Sequence, residues 1–355
     1  EWLSEANGGI SLMSIDASQG TTESKLMDGF FENPYVKLAK LDNGKILMVF
    51  IGDDGDRSVV NKRTLFYSIG DGTSWSVPQI VEDDRTLDDY PNLSDLGDGR
   101  ILITWSSADT VLPDGATVED AAKDMNIHAA FFDKKTCELG EPMKVTKTTT
   151  EEEAGKFADY SADTMANAAY DKATGKLILY YTKTEYEDMS TAANLKKAYS
   201  ANAYMFYDDT TKSWSNADGY TAEELSGMTD EEKELYKKGF YGQRLLDTRI
   251  NKGSDVFPRV IDTTSISYNG LALFAWTTDW DGDLDTLYDR DVFMQIYNFA
   301  ENSFTHIFRV TSKTSAYSSP KFARSDNATY LFYGQTSVEE VVKTGEGSET
   351  EEQLA

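Results

Sequence analysis

The stretch "LDNGKILMVF", residues 41–50, places a tight Asn-Gly turn directly before an unbroken apolar run. It recurs as "LGDGRILITW" (96–105), "KATGKLILYY" (172–181), "SYNGLALFAW" (267–276) and, more loosely, "SDNATYLFYG" (325–334). A Gly or Asn turn followed by a short apolar run reads as a hairpin leading into a strand buried on both faces. Five copies at irregular spacing make the chain a repeat protein, and the repeat governs every later reading.

Upstream of most copies a second short run opens with proline: "NPYVKL" (Pro34), "YPNLSDL" (Pro91), "FPRVID" (Pro258) and "SPKFAR" (Pro320). Proline has no N–H to give and is tolerated at the first residue of a strand. The third unit, "YSADTMANAAY", lacks it. Downstream come a polar loop and a third run, "RTLFYSI", "NIHAAFFD", "NAYMFYDD" or "DVFMQIYN". Turns with Ser-Trp or Ser-Phe follow at Trp75, Trp214 and Phe304, then a fourth run. Four strands per unit, repeated five times, predict an all-β fold: a β-propeller of four-stranded antiparallel blades. The large aromatics are expected to fill the wedges between neighbouring blades.

The propeller is expected over residues 29–336, with residues 1–28 an N-terminal segment whose strand candidate, Ile10 to Ile15, could close the ring. Residues 337–355 read as an acidic tail or linker. At about 220–240, Thr221 with Glu224, Thr229 with Glu232, and the stop at Gly239 predict a helical insertion between the third and fourth blades.

Bulk composition limits the functions. A net charge of −27 and a pI near 4.4 argue against nucleic-acid partners. No apolar run reaches the roughly 20 residues of a membrane helix, so no membrane insertion is expected. Cys137 is alone, which excludes a disulfide framework and reads as a bland thiol in a turn. The abrupt start at Glu1 reads as that of a mature or excised domain, one part of a larger multidomain chain.

From Pro34 to Trp105 the chain resembles the sialidase-like (Asp-box, or BNR-repeat) β-propellers. There a strand opening with an arginine and a proline leads to Ser-x-Asp-x-Gly-x-Thr-Trp and then Ser-x-Pro. "SIGDGTSW" supplies Ser68, Gly72, Ser74 in place of Thr, and Trp75, then Ser76 and Pro78, with Asp71 one position late. "YDDTTKSW" keeps Asp209 and Trp214, and the Phe304 copy loses the acid. The resemblance implies six blades, against five visible in the repeats, and Asp-boxes on the face away from the active site. It also implies a substrate-gripping arginine immediately before Pro34. Asn33 stands there instead. Five-bladed furanosidase-like enzymes carry a catalytic Asp at that position, and an amide cannot replace it as a general base. Both templates lose the same residue, so the balance tips away from an enzyme.

The loops joining second to third strands are long and acidic, and loops on a rigid scaffold commonly carry function. In "DWDGDLD", Asp279, Asp281, Asp283 and Asp285 alternate at a density of hard oxygens that suits Ca²⁺. Around the axis the candidates are Asp89, Asp163 and Asp255 as paired carboxylates, with Asn33, Tyr90, Tyr160, Arg259 and Tyr317 as ligand contacts. Carboxylates and hydroxyls meet sugar hydroxyls, and an aromatic face covers the apolar side of the ring. The leading expectation is a secreted or cell-surface propeller that binds glycan on its loop-rich face without sialidase activity. An exo-acting glycoside hydrolase and a protein-binding adhesin platform are the alternatives.

Overall fold

A computed structural model describes residues 8–16, 20–30, 34–72, 74–117, 120–122, 125–146, 161–186, 198–215, 229, 259–280, 289–311, 316–325, 327–336, 338–341 and 351–354. Apart from Thr229, the expected helical insertion lies outside these residues. The chain divides into two units, Glu1–Ala166 and Asn167–Ala355.

In the first unit β1 (Gly8–Asp16) and β2 (Gly20–Phe30) form a two-stranded sheet of their own. The single strand anticipated there is one arm of a hairpin. The first blade is β3 (Lys37–Lys40), β4 (Ile46–Asp53), β5 (Arg63–Gly70) and β6 (Gln79–Ile80), paired in chain order. The second is β7 (Asp88–Asp95), β8 (Arg100–Ala108), β9 (Met125–Asp133) and β10 (Met143–Lys144).

The third blade, β11 (Ser161–Asp171), β12 (Lys176–Tyr186), β13 (Ala198–Asp208) and β14 (Ser213–Ser215), starts in the first unit and continues in the second. A fourth sheet holds β15 (Arg259–Tyr268), β16 (Leu271–Asp279), β17 (Arg290–Asn298) and β18 (Ser303–Phe304), with β19 (Phe308–Arg309) also on β17. Then come the pair β20 (Ala316–Arg324) and β21 (Thr329–Thr336), and the pair β22 (Val338–Val341) and β23 (Glu351–Leu354). Each consecutive pairing is antiparallel, which gives the blade pattern of a β-propeller, with two strands of the fifth repeat among the described residues.

The second strands of the first, second and fourth blades are buried almost throughout because both of their faces are covered, whereas β21 of the fifth repeat is largely exposed. Leu47, Val49 and Ile51 face Ile101, Ile103, Trp105 and Phe132 in a core shared by the first two blades. Met48 and Phe50 point the other way, towards Ile10, Val36, Phe66 and Trp75. Trp75 therefore packs beside the N-terminal hairpin. Phe304 fulfils the wedge expectation in the second unit, with its ring 4.7 Å from Tyr204 of the third blade and 4.8 Å from Tyr297 of its own.

The turns after the third strands share one device. Asp71, Asp133, Asp208 and Asn298 each accept from a backbone N–H two or three residues on. In the third blade the capping acid is Asp208, whereas Asp209 pairs with Lys212. Gly70 is required where it stands, because a Cβ there would fall 2.5 Å from Trp75 Cδ2 and 2.6 Å from the Ser74 carbonyl.

Candidate functional site

First strands depart from regular geometry at matching places. Tyr35 just before β3, Tyr90 in β7, Met165 in β11 and Ser319 in β20 all have φ between 48° and 54°. An L-residue held in this left-handed region costs on the order of 1–2 kcal/mol, and such outliers concentrate where a fold positions functional side chains. In β7 and β20 the pairing register breaks at the same place, between Asp89 and Asn92 and between Ser318 and Lys321. Pro91 and Pro320 fall inside these bulges rather than at first strand positions, since a bulge leaves a backbone position outside the ladder where no N–H is needed.

In the first unit the half-buried rings of Tyr35 and Tyr90 lie 5.5 Å apart, inclined at 44°. Beneath them Asp89 is buried, and its Oδ1 accepts from Arg63 Nη2 at 2.9 Å and from the N–H of Tyr90 at 2.9 Å. The ion pair thus clamps the backbone bond that sets the left-handed turn of Tyr90. Burial raises the Asp89 carboxyl above its ordinary value, with Arg63 opposing.

Asp88 is equally buried. Its Oδ2 accepts from the N–H of Leu65 at 3.0 Å, and Ser107 Oγ donates to Oδ1 at 2.9 Å. Loss of water carries its pKa up to about 7, a rise that Asp84 reinforces.

Beside this lies a third charged group. His128, near the start of β9, places Nδ1 2.8 Å from Glu82 Oε2 and Nε2 3.9 Å from Asp109 Oδ1. Burial pulls the imidazole pKa down, but Asp109 and Glu82 outweigh it and raise it to about 9. Burial would likewise raise Asp109, yet its contacts with His128 and Lys144 hold it below the usual carboxylate range. Glu82 and Asp84 sit on the loop between β6 and β7. Arg57 fastens that loop, donating to the Thr86 carbonyl and to Asp54.

Of the residues singled out by sequence, Asp89 and Tyr90 adjoin in this group, and Asp163 is buried in β11 of the same unit. The carbonyl of Ala166, three residues on, accepts from Asn92 and Thr104 and ties β11 to β7 and β8. Asn33, Tyr160, Asp255, Asp281, Asp283 and Asp285 lie outside the described residues. Asp279 is fully buried and accepts from Arg290 Nε at 3.0 Å, while Arg259 is its in-register partner on β15. Tyr317 is buried edge-on to Tyr333. Sequence reasoning missed Tyr35, Arg63, Glu82, Asp84 and His128.

No family model and no curated protein matches the chain. Solved structures do. An ulvan lyase of polysaccharide lyase family PL25, bound to -[GlcA(1-4)Rha3S]-, superposes over 92% of this chain and 77% of its own at 11% identity and a TM-score of 0.53. A second PL25 ulvan lyase structure covers 86% of this chain and 67% of its own, at 12% identity and a TM-score of 0.51. The GH93 α-L-arabinofuranosidase of Fusarium graminearum, in complex with arabinobiose, covers 90% and 80% at 13% identity and a TM-score of 0.50. At these identities the likeness is one of fold, and it agrees with the blade pattern read from the strands: the chain is an all-β propeller.

Proposed function

We propose that the chain is a carbohydrate-binding β-propeller of sialidase-like build, which takes a glycan at the Tyr35–Tyr90 corner of its first two blades. The observation that carries this reading is the pair of tyrosine rings held in left-handed turns. Two inclined aromatic faces with phenolic hydroxyls suit the apolar face and the hydroxyl rim of a sugar ring. Asp89 acts here as a positioning residue. Its carboxylate is committed to Arg63 and to the Tyr90 N–H, so it fixes the ring rather than meeting the ligand. The likeness in fold to structures named for polysaccharide and arabinoside chemistry supports a saccharide ligand. A polymer of this kind is met outside the cell, so the reading includes a secreted or surface setting.

One observation favours a second reading, glycoside hydrolysis. Burial raises the Asp89 carboxyl, as a general acid requires, and Asp163 is a second buried carboxylate in the same unit.

A single experiment separates the readings. The protein is incubated with a mixed pool of sialylated glycans, uronic-acid polysaccharides and arabino-oligosaccharides, and both retained and released saccharides are identified by mass spectrometry. Retention without new products, weakened at least tenfold in Tyr35→Ala and Tyr90→Ala, is the expected result. New products that vanish in Asp163→Asn would make it a hydrolase, and neither retention nor products would remove both readings.

A further inference from the structure

Three blades share a local device that one of them abandons. The valines Val81, Val145 and Val310 each donate an N–H to the third strand of their blade, at Leu65, Ile127 and Val292. The next residue is Thr146 in the second blade and Thr311 in the fourth. Each threonine hydroxyl accepts the N–H of Ile127 or Val292, at 2.9 and 2.8 Å, and turns its own proton to Asn126 or Asp291. In the first blade that position is Glu82. The N–H of Leu65 is satisfied instead by Asp88, and the Glu82 carboxylate reaches His128.

We propose that Glu82, Asp84 and His128 form a binding site for a divalent transition-metal ion of the Zn²⁺ or Mn²⁺ class. One donor atom from each residue lies within 4.8 Å of the others. Two donors on a tetrahedral ion at 2.0–2.2 Å stand about 3.3–3.6 Å apart. The widest-spaced donors must therefore draw together by up to about 1.2–1.5 Å, a movement that falls to the half-buried side chains of Glu82 and of Asp84, whose Oδ1 also accepts from the Thr86 N–H and hydroxyl.

A second observation lies behind the imidazole. His128 is only 6% exposed, and neither its Nε2 nor the facing Asp109 Oδ1, 3.9 Å away, has a hydrogen-bond partner among the described residues. Lys144 anchors the other oxygen of Asp109. A carboxylate behind the far nitrogen of a ligating histidine is the usual support that orients such a ring. One imidazole with two carboxylates suits Zn²⁺ or Mn²⁺, whereas Ca²⁺ selects oxygen alone. Water would complete the shell. The ion would brace the loop that leads into Asp88, Asp89 and Tyr90, and the inference stands whether or not the ligand there is a glycan.

The test uses the whole protein, stripped with EDTA and titrated calorimetrically with ZnCl₂, MnCl₂ and, for comparison, CaCl₂. One site for Zn²⁺ or Mn²⁺ is expected, weakened at least tenfold in Glu82→Thr and in His128→Gln. Glu82→Thr installs the residue that two other blades carry, so its fold should survive. The chain has two histidines, which allows a second measurement on the unaltered protein. Substoichiometric Mn²⁺ should broaden the imidazole resonances of His128 and leave those of His306 sharp. Identical titrations in all three proteins, equal broadening of both histidines, or no binding at millimolar metal would each overturn the proposal.

Discussion

The charge on His128 should make the stability of this protein depend on pH above neutrality. In the unfolded chain the imidazole titrates near 6.5, and in the folded chain at about 9. Because the folded pKa is the higher one, the stabilisation is complete below pH 6.5 and is lost as the pH rises through 9. The gap of roughly 2.5 units, at 1.36 kcal/mol per unit, corresponds to about 3 kcal/mol. The groups responsible are Glu82 and Asp109 at the two ring nitrogens, with Asp88 and Asp84 nearby and Lys144 opposing through Asp109.

The assay is urea unfolding of the unaltered protein and of His128→Gln at pH 6, 7.5 and 9.5. EDTA is present throughout, because a bound metal would take the neutral imidazole. Asp88 contributes in the opposite range. Its folded value of about 7 exceeds the ordinary 3.8, so stability falls between those two pH values, and it does so in both proteins. Between pH 6 and 9.5 the unaltered protein should therefore lose about 3 kcal/mol more than the variant. Parallel curves would refute the reasoning, since they would mean that the two carboxylates do not hold the proton on the ring.

Other consequences are local. Gly70→Ala drives a methyl group into Trp75 and into the Ser74 carbonyl, and should cost about 1–3 kcal/mol in chemical denaturation. Thr146→Ala and Thr311→Ala each strand a third-strand N–H and should cost about 1–3 kcal/mol in chemical denaturation. Asp89→Asn removes the charge that accepts from the buried Arg63 guanidinium, for a loss of about 1.5–3 kcal/mol. The same variant should weaken saccharide retention through the loosened Tyr90, and full retention would separate the clamp from the ligand.

The blades were legible because two signals coincide within each repeat. A turn residue suited to positive φ, such as Gly44, Gly99, Gly175 or Gly270, stands before a run apolar enough to be covered on both faces. The tyrosine corner was only half legible. Proline marked the bulges, but Tyr35 and Tyr90 are residues for which a left-handed turn is unfavourable, so no local preference announces it. Asp89 could be picked out as a carboxylate at the head of a first strand. Its partner Arg63 is 26 residues away on the neighbouring blade, and only packing makes them a pair.

His128 is a different case. In "NIHAAFFD" it occupies a strand position and reads as one more buried residue. The informative signal lay elsewhere, in aligning the repeats of the chain with each other: "IVED" beside "KVTK" and "RVTS" exposes a glutamate where the fold elsewhere uses a threonine hydroxyl. The hydrogen bond that the threonine makes is still required in the first blade, and Asp88 makes it. A blade that keeps the bond but moves it to another residue has released Glu82 from that structural duty. The released carboxylate points at one of the two histidines in the chain. That is why the first blade is where a ligand should be sought.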